Sequence, residues 1–267
     1  MNPRRAFAIF LRQLFLLRAS PTRLFQIFVW ILLDIVLWGF ITQYLNSVAG
    51  ATFKFIPVFL GAVVLENFLV RVQQGLAVAF FEDVWSRNFL NVFASPIRVS
   101  EYLGGLVAIS IMTSAFALLA MLILSTAVFG LSLLSFGIYL VPFLLILFLF
   151  GIALGILATA VVLRFGPASE WFVWPIPMIL APFVGVFYPI ATLPTWMQAI
   201  SYALPPSYVF EGARAFVLQG QFDSRLLFVG VALALVYVFL AYMLFRFVHR
   251  VAIRRGLIAR YSSETLS

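Results

Sequence analysis

From Gly104 to Phe129 the chain runs for 26 residues without one ionisable side chain. As a helix rising about 1.5 Å per residue, that stretch exceeds the ~30 Å of hydrocarbon in a bilayer. Five further apolar stretches lie near 24–45, 55–81, 137–163, 171–190 and 226–248. A water-soluble domain is about 45–50% apolar and about 25% charged; this chain has 64% and 10%. Lipid is therefore the solvent for most of it. The expected fold is an all-α integral membrane domain of six transmembrane helices occupying the whole chain, 1–267, with no room for a soluble enzyme domain. No cysteine is present, which excludes disulfides, thiolate metal sites and cysteine nucleophiles. The start, MNPRRAFAIFLRQLF, is basic and then apolar, yet Arg12 and Arg18 interrupt any signal-peptide core. It is read as retained.

The fifth stretch is the least regular, because Pro175, Pro177, Pro182 and Pro189 punctuate it. Each proline removes a backbone donor and crowds the preceding turn. Residues 191–214 follow as a semi-apolar segment too short and too broken to cross, predicted to be a re-entrant or interfacial pair of helices before the last span. At the other end, 1–23 is predicted to form an amphipathic helix lying in the membrane plane. Phe7, Phe10, Leu11, Leu14 and Phe15 share one face, and Arg5 and Arg12 lie seven apart on the other. Ser20 and Pro21 then offer a cap and a first-turn proline for span one.

Basic residues orient the bundle. Of 17 lysines and arginines, thirteen fall in the N-terminal segment, the 82–103 loop, Arg164 and the C-terminal cluster; Lys54, Arg214 and Arg225 fall on the opposite side. The positive-inside bias places both termini in the cytoplasm, consistent with an even number of spans. The net charge of +8 suits anionic headgroups and calls for no nucleic-acid partner.

The cytoplasmic loop EDVWSRNFLNVFASPIRVSEYL is unusual for such a greasy chain. As a helix it places Trp85, Phe89, Val92 and Phe93 on one stripe and Asp83, Arg87 and Asn91 on another, with Asp83 and Arg87 a candidate ion pair. Ser95-Pro96 should end that helix. Ser100 and Glu101 should start the next span by capping and by meeting the helix dipole. A loop resting on headgroups and a helix docking into a partner's groove both fit this pattern.

Inside the membrane, Asp34, Glu66 and Arg71 each cost about 2.5–3.5 kcal/mol if unpaired in hydrocarbon. Structural pairing of Arg71 with one acid, lining of a substrate path and proton coupling are the three readings. Glu211 and Arg214, three apart, suit a local ion pair or an extracellular gate that also includes Pro194, Trp196 and Tyr208. Gly151 and Gly155 form a small-x-x-x-small face, suited to close helix packing or to a lipid or substrate groove.

Two segments carry a family resemblance. The 82–103 loop, a short helix ending in Ser-Pro between spans two and three, resembles the coupling-helix region of ABC type 2 exporter permeases. FYPIATLPTWMQAISYALPPSYVFEGARAFVLQG, with Tyr188-Pro189, Leu193-Pro194-x-Trp196, Pro206-Ser207-Tyr208, Glu211 and Arg214, resembles the extracellular signature of the same family. The resemblance implies a permease half in the bacterial cytoplasmic membrane, pairing with a second copy or close paralogue and with two ATPase subunits. Residues 82–100 would be the coupling loop, with Asp83, Trp85, Arg87, Phe89, Asn91 and Phe93 as ATPase contacts. This chain lacks G-x-x-x-x-G-K-[ST], so it is not expected to be an enzyme or to hold a cofactor; ATP and Mg would bind the partner ATPase. The implied cargo is an amphipathic drug, lipid or lipid-linked glycan. The rival reading is a proton-coupled secondary transporter using Asp34 and Glu66.

Overall fold

The computed structural model describes residues 2–49, 56–86, 88, 91–92, 95–131, 133–220 and 223–255. Among these every regular element is helical: α1 (Pro3–Ala19), α2 (Pro21–Ala49), α3 (Gly61–Trp85), α4 (Val99–Phe129), α5 (Leu140–Phe165), α6 (Ile176–Val184), α7 (Thr195–Ala203), α8 (Pro205–Gln219) and α9 (Ser224–Arg254). Five helices are long and apolar enough to cross a membrane: Phe28–Val48, Pro57–Trp85, Val99–Phe129, Phe136–Phe165 and Ser224–Arg254. They correspond to five of the six expected spans.

The remaining stretch, 171–190, is not one span-length helix. A 3-10 turn at Pro167–Phe172 is followed by the nine-residue α6, and Gly185, at φ 68°, ends that helix in the left-handed region. A second 3-10 turn, Ile190–Thr192, comes next. The prolines explain the breaks, since Pro175, Pro177 and Pro182 donate no helical hydrogen bond and Pro189 sits in extended geometry. Residues 195–219 then form two short helices, α7 and α8, that meet at Leu204.

Local chemistry sets the helix ends. Asn2 caps α1 by accepting the Arg4 amide at 3.1 Å, and Pro3 occupies the first turn. Ser20 closes α1 and Pro21 opens α2. The start of α4 departs from expectation: Arg98, not Ser100, holds the cap position, and Glu101 reaches back to accept the Arg98 amide at 3.0 Å. A carboxylate one turn into the helix serves both the free amide and the dipole.

Helix α3 sits at the centre, flanked by α4 and α5, with α9 packed on the far side of α5. Water expulsion does not drive helices together inside lipid, so close packing and interhelical hydrogen bonds must. Both occur here. A Cβ on Gly151 would stand 2.8 Å from Val72 Cβ, and one on Gly155 would stand 2.9 Å from Leu76 Cβ, so the small-residue face presses α5 onto α3. On the opposite flank, Ser110 of α4 donates to the Val72 carbonyl at 2.8 Å. Helix α2 leans on α4, where the Phe129 ring lies over Gly39 and leaves no room for a Cβ there.

The side of α1 that docks most deeply carries Arg5 and Arg12, with Phe10 and Leu14 partly buried at its edge. Ile9 and Gln13 are its buried residues, whereas Phe7 and Phe15 are exposed. Arg5, Ile9, Arg12 and Gln13, at spacings of three and four, form the stripe turned to protein. The basic side expected to face headgroups is thus the side that binds α3 and α4.

Candidate functional site

Three polar clusters lie along α3 and the π-helical turn Ile56–Leu60 that leads into it: at the Trp85 end, near the middle and at the Pro57 end. At the Trp85 end, Asp83 is fully buried, with Arg12 Nη2 2.5 Å from its Oδ1 and the Tyr102 hydroxyl donating to its Oδ2 at 2.7 Å. A carboxylate enclosed this way depends on its partners to repay lost hydration. Glu101, also buried, accepts the Asn2 amide at 2.7 Å and has Arg5 Nη1 3.7 Å away. Arg5 Nη1 additionally donates to the Pro96 carbonyl. Gln13 donates to the Ala79 carbonyl at 2.9 Å. A Cβ on Gly105 would meet Ile9 Cβ at 2.5 Å, so α1 touches α4 almost backbone to backbone.

These bonds tie α1 to the ends of the two helices that carry the 82–100 loop. The expected Asp83 stripe is accordingly revised: α3 continues as a helix through Trp85, Asp83 points inward, and its partner is Arg12. It has no surface to offer a docking protein. Arg87, Phe89 and Phe93 lie outside the described residues. Trp85 is exposed, and its indole N–H donates to Glu170 Oε2 at 2.9 Å. Asn91 is exposed and donates to Asn88 Oδ1 at 2.9 Å. Ser95 closes the turn as expected, its amide donating to the Val92 carbonyl at 3.3 Å and its hydroxyl to the same oxygen at 2.5 Å.

Near the middle, Arg71 donates to Gln74 Oε1 at 3.0 Å. Among the described residues no ion pair joins it to Asp34 or Glu66, so the expected direct pairing is not formed. Asp34 nevertheless lies within electrostatic reach of both Arg71 and Glu66. Asp34, Glu66 and Arg71 are all partly exposed. Deeper in the bundle, Gln73 is wholly buried and donates to the Val173 carbonyl at 3.4 Å.

At the Pro57 end, Glu211 and Arg214 form more than a local pair. Glu211 Oε1 accepts Arg214 Nη1 at 2.9 Å and the Ile190 amide at 2.7 Å. Arg214 Nη2 donates to the carbonyls of Gly185 at 2.7 Å and Val186 at 3.3 Å. The two side chains hold the turn after α6 against α8. Burial pushes the Arg214 guanidinium below its ordinary value, and the Glu211 carboxylate opposes that shift. Pro194 caps α7 with its carbonyl, which accepts the Met197 and Gln198 amides at 2.9 and 3.0 Å. Trp196 is exposed and edge-on to Phe183, while the Tyr208 hydroxyl donates to the Tyr202 carbonyl at 2.7 Å.

Sequence reasoning missed the Arg12–Asp83–Tyr102 cluster, the Trp85–Glu170 bond and the Gln73–Val173 bond. Their one advance signal is that arginines seven apart on a short helix could meet acids at the ends of two neighbouring helices. A search of the curated proteins finds no significant match to the chain. The family model for the ABC-2 type transporter matches residues 5–218. That range begins inside α1, runs through the Arg12–Asp83 clamp and ends in α8, just beyond the Glu211–Arg214 staple. The match spans most of the chain and four of its five span-length helices: this chain is a member of the ABC-2 type transporter family, an integral membrane permease of a kind that works with ABC ATPase partners.

Proposed function

We propose that this chain is the membrane-spanning half of an ATP-driven exporter. Two copies, or one copy and a close paralogue, join two ATPase subunits that bind ATP and Mg, and the chain itself is not an enzyme. The ATPase docks on the 82–100 loop at the cytoplasmic face of a bacterial inner membrane. One observation carries this reading: the helices flanking that loop are locked to each other and to α1 by Asp83, Glu101, Arg5, Arg12 and Gln13. A loop on such a stiff mount passes a push into the membrane instead of absorbing it.

Residues 167–190 are the fifth of six crossings, made by broken helix. Three contacts support this path: Glu170 meets Trp85, Val173 meets Gln73 in mid-helix, and the Phe187 ring stacks on Phe59 at 6.5 Å. They follow α3 from one end to the other, a distance of about 40 Å for a helix this long. Six crossings leave both termini in the cytoplasm, and the 191–214 helices become the extracellular re-entrant gate. Closure of the ATPases would move the loops together and release an amphipathic substrate outward from the cytoplasm or inner leaflet.

The test replaces Trp85 and Phe89 with aspartate. The variant should insert normally and lose its ATPase on purification; full retention of the ATPase would defeat the proposal. A proton-coupled carrier is the second reading, favoured by the lack of an ion pair between Arg71 and either Asp34 or Glu66. That carrier would transport without ATP and fail on neutralisation of either acid.

A further inference from the structure

Helix α3 is enclosed on every side except one. Between Gly61 and Val84 its unburied residues are those at 66, 67, 70, 71, 74, 75 and 78. Spacings of three and four place them on one narrow face. The side chains with hydrogen-bonding or charged groups there are Glu66, Asn67, Arg71 and Gln74. The most enclosed helix of a very apolar chain therefore keeps its open face for its polar residues. Hydrocarbon cannot be the neighbour of such a face.

Helix α2 supplies the facing wall. Asp34 is partly exposed within reach of Arg71 and Glu66. One turn further along α2, Trp38 stacks on Phe187 with ring centres 4.7 Å apart and planes 16° apart. Phe59, whose ring lies nearly parallel to Phe187, is seven residues before Glu66, about 10 Å along the helix. Three aromatic rings from three elements thus close the Pro57 end of the polar face.

The charge balance selects what fits. Arg71, held by Gln74, is the one basic side chain beside two acids, Asp34 and Glu66, among the described residues of this face. Aromatic faces add attraction for a positive group and none for an anion. We propose that the open polar face of α3, beside Asp34 and Trp38 of α2, binds an amphiphile whose headgroup bears a single positive charge, as an alkylammonium does. Asp34 and Glu66 receive the cation, Asn67 and Gln74 replace part of its water, and Trp38 covers it. As the cargo site of an exporter, this rests on the ATP-driven reading above.

The test uses the full chain in nanodiscs of uncharged lipid and two fluorescent dyes that share an uncharged diphenylhexatriene chromophore, one ending in trimethylammonium and the other in sulfonate. The ammonium dye should bind at least tenfold more tightly, and Glu66→Gln and Asp34→Asn should each remove most of that preference while leaving the chain monodisperse. Equal affinity, preference for the sulfonate, or a preference that both variants retain would overturn the proposal. Should either variant misfold, Trp38→Leu provides the same readout, with an expected loss of several-fold in ammonium affinity; an unchanged affinity would count against the site. ATPase stimulation by the ammonium dye is measured separately with the partner present. Selective binding without stimulation would sink the ATP-driven reading and leave the site standing; stimulation without selective binding would do the reverse.

Discussion

Arg12, in the middle of α1, holds Asp83, on the last turn of α3, at 2.5 Å across 71 positions of sequence. Asp83 is sealed from solvent, and Tyr102 of α4 completes its coordination. One carboxylate thereby joins three helices beside the 82–100 loop.

Removing one partner of this cluster should cost more than removing both. Arg12→Ala leaves a buried anion without its cation and is expected to destabilise by about 3–5 kcal/mol. The double variant Arg12→Met with Asp83→Asn should recover much of that loss. Thermal unfolding of the purified protein in detergent measures both, and equal stability of wild type and Arg12→Ala would refute the account.

Glu101 is both a helix cap and the anchor of the Asn2 amide. Glu101→Ala should cost about 1–2 kcal/mol, in the range of a lost cap and a lost charge-assisted bond. Its signature is local: protease sensitivity should rise before Ala19, while the span-length helices stay protected. Uniform loosening of the whole chain would contradict this.

Wedging the helices apart tests the close contacts. Gly151→Leu places its side chain where Val72 stands 2.8 Å from the added Cβ, and overpacking of this kind costs about 1–3 kcal/mol or more. Gly105→Val should displace α1 from α4 and weaken ATPase association without preventing insertion. If Gly105→Val associates as well as wild type, α1 does not brace the loop.

Cutting the Glu211–Arg214 staple should impair function more than stability. Arg214→Gln removes the bonds to Gly185 and Val186, and Glu211→Gln weakens the hold on Ile190. Each should lower thermal stability by about 1–2 kcal/mol and reduce ATP-dependent transport in proteoliposomes several-fold. Full transport in both variants would show that the turn after α6 needs no fixing.

The apolar runs foretold α2, α3, α4, α5 and α9 because an uncharged stretch of that length has few homes other than a membrane-crossing helix. The prolines marked 171–190 as irregular, and the fragments follow their positions. Periodicity misassigned Asp83, because a stripe shared with Arg87 is visible at four-residue spacing whereas a bond to Arg12 leaves no periodic trace. The docking of α1 through its arginine side was missed for a related reason. Arginine on an amphipathic helix suits headgroups and buried acids equally, and the acids that decide the matter lie on other helices.

The ring of Phe129 resting on the bare backbone of Gly39 gives α2 a pivot. It divides the helix unevenly, with an arm of about 27 Å on the α1 side and about 15 Å beyond it at 1.5 Å per residue. A small tilt at the far tip is therefore magnified nearly twofold at the near one. Trp38 sits beside the pivot and hardly moves, whereas Asp34 stands about 7 Å out on the long arm, so a rocking α2 would swing Asp34 across the polar face of α3 while the Trp38–Phe187 stack stays in place.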